Sequence, residues 1–141
     1  MKRHASAHWQ GGLKEGKGTV STESKVLSEQ LYSFGDRFED GEGTNPEELV
    51  GAAHAACFSM FLSLVLGEAG LTADSIDTKA EVTLDQTDNG FEVTAVHLKL
   101  TAKVPKAEQA EFEKAANTAK ENCPISKLLK ANITLDAKLE A

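Results

Sequence analysis

Residues 44–60 read T-N-P-E-E-L-V-G-A-A-H-A-A-C-F-S-M, from Thr44 to Met60. Asn45 sets a capping side chain ahead of Pro46, whose missing N–H costs nothing at the first helical position, and Glu47 and Glu48 suit the positive end of a helix. From Leu49 to Leu66 the run includes Ala52, Ala53, Ala55, Ala56, Phe58, Met60, Phe61, Leu62, Leu64 and Val65. That is too apolar for a wide solvated face, so the stretch predicts a long helix buried on most sides and stopped near Gly67 or Gly70. Cys57 stands in its interior. It is a core residue first, and a reactive one only if something else activates its thiol.

Working outward, a chain of 141 residues has the length of one domain with a real core, and a single domain over 1–141 is expected. With 22 acidic against 15 basic residues the formal charge is -7, and no Lys/Arg cluster breaks the balance, which argues against nucleic acid and anionic membrane surfaces as partners. The first ten residues have basic groups without the apolar run of a secretory signal. Gly51, His54, Ser59 and Ser63 interrupt the best candidate for a membrane span. A soluble, cytoplasmic protein is the expectation, and two cysteines there leave catalysis, redox sensing or plain packing rather than a disulfide framework.

Before the long helix, residues 5–10 and 16–22 are strand-like and punctuated by Gly11, Gly12, Gly16 and Gly18, which predicts a hairpin. Residues 31–38 read as a third strand with Arg37 near its end. These glycines lack the spacing that cradles a phosphate. After the helix, Ile76, Thr78, Ala80, Val82 and Leu84 alternate with polar residues as a half-buried strand, and Asp88-Asn89-Gly90 makes the turn. On the return strand the apolar parity changes from Phe91, Val93 and Ala95 to Val96, Leu98, Leu100 and Ala102, which predicts a bulge near Ala95. A second, amphipathic helix spans 107–120, with Phe112, Ala115, Ala116 and Ala119 on one face. A helical turn follows over 124–130, and Ile133, Leu135, Ala137 and Leu139 alternate as a closing strand. The class is α+β with mostly antiparallel pairing.

Two thiols could carry chemistry. Cys123 precedes Pro124, a first-position helix proline, so unpaired N–H groups would favour its thiolate; by that argument Cys123 is the better nucleophile. Cys57 lies too deep in its helix to feel the dipole and needs a separate cation. Arg37 and His54 are candidates, although Arg37 also reads as a surface charge and His54 as a packed core histidine. Glu47 and Cys57 are about 15 Å apart along one helix axis. If Glu47 orients a cation beside that sulfur, it does so from another subunit; otherwise it only complements the helix start. The cysteines form no C-x-x-C pair, and His4, His8, His54 and His97 lack zinc-ligand spacing.

The segment G-T-N-P-E-E-L-V-G-A-A-H-A-A-C-F-S-M, together with A-H-W and G-K-G-T-V-S-T-E-S upstream and N-C-P-I-S-K-L-L-K downstream, resembles the OsmC/Ohr family over essentially the full chain. The resemblance implies an OsmC-like α+β fold, with antiparallel sheets around a long buried central helix in an intertwined homodimer. It implies a thiol-dependent peroxidase acting on organic hydroperoxides, and on hydrogen peroxide less well, in oxidative or osmotic stress. Within that resemblance Cys57 is the peroxidatic thiol, Cys123 the resolving thiol, and Arg37 and Glu47 the activating ion pair, which reverses the preference for Cys123. The placement of Arg37 resembles the OsmC branch more than the Ohr branch. No cofactor or metal is implied; an external dithiol, such as a lipoyl-type reductant, closes the cycle. The alternative is a non-catalytic redox sensor or binding module.

Overall fold

The computed structural model describes residues 1–140, and the chain forms two compact units that divide between Leu49 and Val50. In the first, β1 (Ala5–Gln10) and β2 (Lys17–Thr22) make the expected antiparallel hairpin, and β3 (Gln30–Tyr32) pairs with the other side of β2. Trp9 and Tyr32 pack as tilted rings 5.4 Å apart. They do so over Gly18, where an added Cβ would run into both rings. The third strand is shorter than expected, because α1 (Phe34–Phe38) begins where a strand through residue 38 was predicted. Ser33 turns the chain: extended itself, it accepts the Asp36 amide on its hydroxyl and so caps a helix. Arg37 therefore sits in the last turn of a short helix and not on a strand edge.

The long helix is α2 (Pro46–Glu68). Its start is capped as expected, the Glu48 amide donating to Asn45 Oδ1 at 2.8 Å. Its end is marked by Gly70 in the left-handed region and by Leu71 donating to the Leu66 carbonyl. Within a single chain the burial is one-sided. Gly51, His54, Phe58, Leu62 and Leu66 form one buried stripe, while Met60 is 78% and Leu64 55% exposed. Ala52, Ala53 and Ala56 continue this bare apolar face. The interruptions counted against a membrane span do not remove that reading either, since by length and composition α2 could cross one, as many core helices of soluble proteins could.

In the second unit, β4 (Ser75–Thr87) and β5 (Gly90–Lys103) form a long hairpin through Asp88 and Asn89. The register slips where Thr83 pairs with Ala95 and Leu84 with Val93, leaving Thr94 as the extra residue; this is the bulge expected from the parity change. β6 (Asn132–Glu140) closes the sheet parallel to β5. Beyond the bulge, Val96, Leu98, Leu100 and Ala102 point to one face and are buried. They join Phe58, Leu62 and Leu66 of α2 and Phe112, Ala115, Ala116 and Ala119 of α3 (Gln109–Asn122) in one core. α2 comes close to β4 at Gly51, where a Cβ would meet Val82 Cγ2 at 3.3 Å. Ser59 and Thr78 add a 2.7 Å hydroxyl–hydroxyl bond between the same elements.

Candidate functional site

The second unit brings both thiols together. Cys57 reaches the site from the half-buried flank of α2, and Cys123 from the joint between α3 and α4 (Pro124–Leu128), whose amino end it caps. Both are free thiols, with Cys123 wholly buried and Cys57 only partly so. They lie close enough to act on one another electrostatically, and the Ile125 backbone also acts on Cys57. Burial pushes the Cys57 thiol above its ordinary pKa; the Cys123 thiol adds to that rise and the Ile125 backbone opposes it. Among the described residues of this unit, the groups that act on Cys57 leave its thiol harder to ionise than usual.

Behind Cys123 lies a polar chain within an otherwise apolar core. Ser126 Oγ is 3.1 Å from Cys123 Sγ and 2.7 Å from His54 Nε2, and the Ser126 amide donates to Cys123 Sγ at 3.4 Å. His54 is fully buried, and its Nδ1 has no hydrogen-bond partner among the described residues. Burial lowers the imidazole pKa and keeps the ring neutral. His54 thus packs in the core as the sequence suggested, and it meets Ser126.

The candidate cation is organised in the first unit. Arg37 grips Glu47 through Nη2–Oε1 at 2.6 Å and through Nε to both carboxylate oxygens at 3.1 and 3.2 Å. This forked geometry is directional and well suited to holding a guanidinium in one orientation. Arg37 is 39% exposed at its side chain and Glu47 13%. Asp36 holds the loop between them: it takes Ser33 Oγ–H at 2.8 Å and the Gly43 amide at 2.6 Å, and its carbonyl accepts Asn45 Nδ2–H at 3.0 Å. Gly43 is required there, because a Cβ would strike the Leu31 carbonyl and the Asp36 carboxylate. Beside Arg37 opens a cleft of about 230 Å³ lined chiefly by Trp9, Leu13, Tyr32, Phe34, Phe38 and Pro46. Of the other large apolar side chains near α2 and β3, Phe58 is in the core, Phe61 packs against it, and Leu31 and Met60 are exposed.

Sequence reasoning missed Ser126, Asp36 and the aromatic cleft. Ser33-x-x-Asp36 has capping-box spacing and could have revealed both α1 and the anchor of Arg37. Ser126 carried no such local signal.

Residues 39–138 match the family described as OsmC-like protein. The chain is 56% identical over 141 residues to the peroxiredoxin OsmC of Escherichia coli K12, covering 100% of this chain and 99% of that protein. It is 34% identical over 124 residues to the organic hydroperoxide resistance protein OhrB of Bacillus subtilis, covering 87% and 88%. Among solved structures, the organic hydroperoxide resistance protein OsmC of Legionella pneumophila superposes with a TM-score of 0.71 at 26% identity, over 100% of this chain and 98% of that one.

Proposed function

The chain belongs to the family of OsmC-like proteins, and on that footing we propose that it works as a thiol-dependent peroxidase of stress defence in which Cys57 reduces an organic hydroperoxide. The observation that carries this reading is the meeting of a partly exposed thiol, Cys57, with a buried one, Cys123. The exposed partner can meet a substrate; the buried one can meet only Cys57.

The Cys57 thiolate attacks the peroxide oxygen remote from the organic group. An S–O bond forms, the O–O bond breaks, and the alkoxide leaves and takes up a proton as the alcohol. Arg37, oriented by Glu47, stabilises the thiolate and then the alkoxide, countering the burial that otherwise keeps Cys57 protonated. Because Glu47 and Cys57 are ten residues apart on α2, about 15 Å along its axis, the Arg37–Glu47 pair of one chain serves the Cys57 of a second copy. The bare apolar face of α2 supports such a homodimer, since its Met60 and Leu64 have no cover within the chain. The aromatic cleft beside Arg37 suits the hydrocarbon part of an organic hydroperoxide better than hydrogen peroxide. Cys123 then displaces hydroxide from the Cys57 sulfenic acid, forming a disulfide, and an external dithiol of the cytoplasm restores both thiols. In this reading residues 1–141 act as one functional domain without a cofactor.

The test uses Cys57→Ser and Cys123→Ser proteins with tert-butyl hydroperoxide and excess dithiol. Cys57→Ser is expected to consume no peroxide. Cys123→Ser is expected to complete one oxidation, leave a trappable sulfenic acid on Cys57 and fail at multiple turnover. Retention of the first oxidation by Cys57→Ser reverses the roles of the thiols, and absence of turnover in the unaltered protein removes the enzyme reading.

A further inference from the structure

We infer that Ser126 and His54 form an internal proton relay for the second half of the reaction, with Ser126 taking the proton of Cys123 and His54 accepting in turn from Ser126. This inference rests on the thiol roles proposed above. Its basis is a line of contacts that starts where Cys57 lies beside Cys123 and continues as two hydrogen bonds, Cys123 Sγ to Ser126 Oγ at 3.1 Å and Ser126 Oγ to His54 Nε2 at 2.7 Å.

The direction of the line follows from acceptor strength. Ser126 has one O–H and two neighbours. A neutral imidazole nitrogen is a strong acceptor and a thiol sulfur a weak one, and this sulfur already receives the Ser126 amide at 3.4 Å. The hydroxyl therefore donates to His54 Nε2, whose ring carries its hydrogen on Nδ1, and its oxygen accepts the Cys123 S–H. With that proton turned toward Ser126, a lone pair of Cys123 is left for Cys57. In this tautomer Nδ1–H is a buried donor with no partner among the described residues. Such an atom is worth about 1–3 kcal/mol of lost stability, and a core that needed only bulk at position 54 would be better served by an apolar side chain of similar size.

In the resolving step Cys123 Sγ bonds to Cys57 Sγ while the S–O bond of the sulfenic acid breaks and its electron pair leaves with oxygen as hydroxide. The Cys123 proton passes to Ser126 Oγ as the Ser126 proton passes to His54 Nε2. The hydroxide takes up a proton, and the imidazolium, unfavourable in its buried place, gives its proton back. One thiol and one sulfenic acid become one disulfide and one water. Ser126 touches a reacting atom and is a catalytic residue in this step; His54 acts through it and is a positioning residue.

The experiment separates the two half-reactions in the full-length protein, using one equivalent of tert-butyl hydroperoxide, rapid quenching and mass measurement of the sulfenic and disulfide forms. Ser126→Ala and His54→Phe are expected to oxidise Cys57 at the unaltered rate and to lengthen the life of the sulfenic acid on the order of 10²-fold, the usual worth of general-base assistance. Ser126→Thr, which keeps the hydroxyl, should restore most of the rate. The double variant should be no slower than either single one, because two groups acting as a unit are not additive. Ser126→Ala keeps the amide bond to Cys123 and carries the test alone if His54→Phe does not fold. An unchanged sulfenic lifetime in folded variants overturns the relay, as does equal slowing of both half-reactions or a failure of Ser126→Thr to recover. If the unaltered protein itself forms no sulfenic acid and no disulfide, the thiol roles fail and the relay falls with them; if it forms both, only the relay is at stake.

Discussion

The unit Val50–Ala141 holds every buried apolar side chain among the described residues, from Phe58 to Cys123. Met1–Leu49 buries only Gly16 and Gly18. The two therefore owe their order to different forces. In the larger unit, apolar area removed from water holds two helices to one face of a sheet, and the thiols take their places as parts of that packing. In the smaller unit, ladder hydrogen bonds, a helix cap and a forked ion pair set the geometry, with two aromatic pairs, Trp9–Tyr32 over Gly18 and Phe34–Phe38. Polar, partly exposed interactions of this kind contribute little each. A three-stranded sheet without a core is marginal by itself, and in the proposed homodimer a second chain would supply the missing cover. The contrast places the two sulfurs of the proposed reaction in a unit held by packing and the charge proposed to activate them in a unit held by directional contacts.

The sharpest way to break this comparison is to remove one ring from the packed side. Phe112→Ala, at a site with no exposure, should cost about 3–5 kcal/mol in denaturant unfolding, whereas Trp9→Ala should cost clearly less. Equal losses would mean that the smaller unit is packed after all.

Next in size is Arg37→Met, which should slow peroxide oxidation of Cys57 on the order of 10²-fold and shift its pH–rate profile to higher pH. An unchanged profile takes Arg37 out of the mechanism. Mixing this variant with Cys57→Ser chains and allowing exchange should recover activity, since a mixed dimer then holds one intact Arg37 and one intact Cys57 that face each other. No recovery would place the guanidinium and the thiol of a working site in the same chain.

A smaller effect is expected from Asn45→Ala, which removes the cap of α2 and the bond to the Asp36 carbonyl; helix-cap losses run about 1 kcal/mol. Activity should fall more than stability, because the same side chain ties α2 to the loop that bears Arg37. Last comes the pH dependence of stability. Burial raises the Cys57 pKa in the folded chain, so the unfolded chain ionises first as pH rises. The contribution is fully present below the ordinary thiol pKa and is lost as pH rises through the folded value. A Cys57→Ala protein should show a flatter alkaline limb in its stability profile.

Much of this was legible from short range. The cap at Asn45, the proline start and glycine end of α2, the bulge inferred from the parity of Phe91 to Ala102, and the face Phe112–Ala115–Ala116–Ala119 each depend on residues within a few positions of one another. The error at residues 31–38 had a local cause as well. Leu31 and Tyr32 do continue a strand, but the Ser33 hydroxyl captures the Asp36 amide and the backbone follows the cap. The one-sided burial of α2 within a single chain was not legible for a different reason: composition reports how apolar a helix is, and not which side finds a partner within its own chain. Met60 and Leu64 look like core in sequence and are bare in the single chain.

The sequence by itself determined the order of elements, the capped central helix with Cys57 inside it, and, through resemblance, which four residues to watch. Tertiary structure decided what those residues meet. Arg37 and Glu47 close on one another within the chain. Cys57 meets Cys123, and Cys123 is backed by Ser126 and by a histidine 72 positions away from that serine. The physical reason is range. Caps, turns and periodicity are settled by neighbours along the backbone, whereas a hydrogen-bonded line through a core exists only after α2 and the α3–α4 joint have been packed against the same sheet.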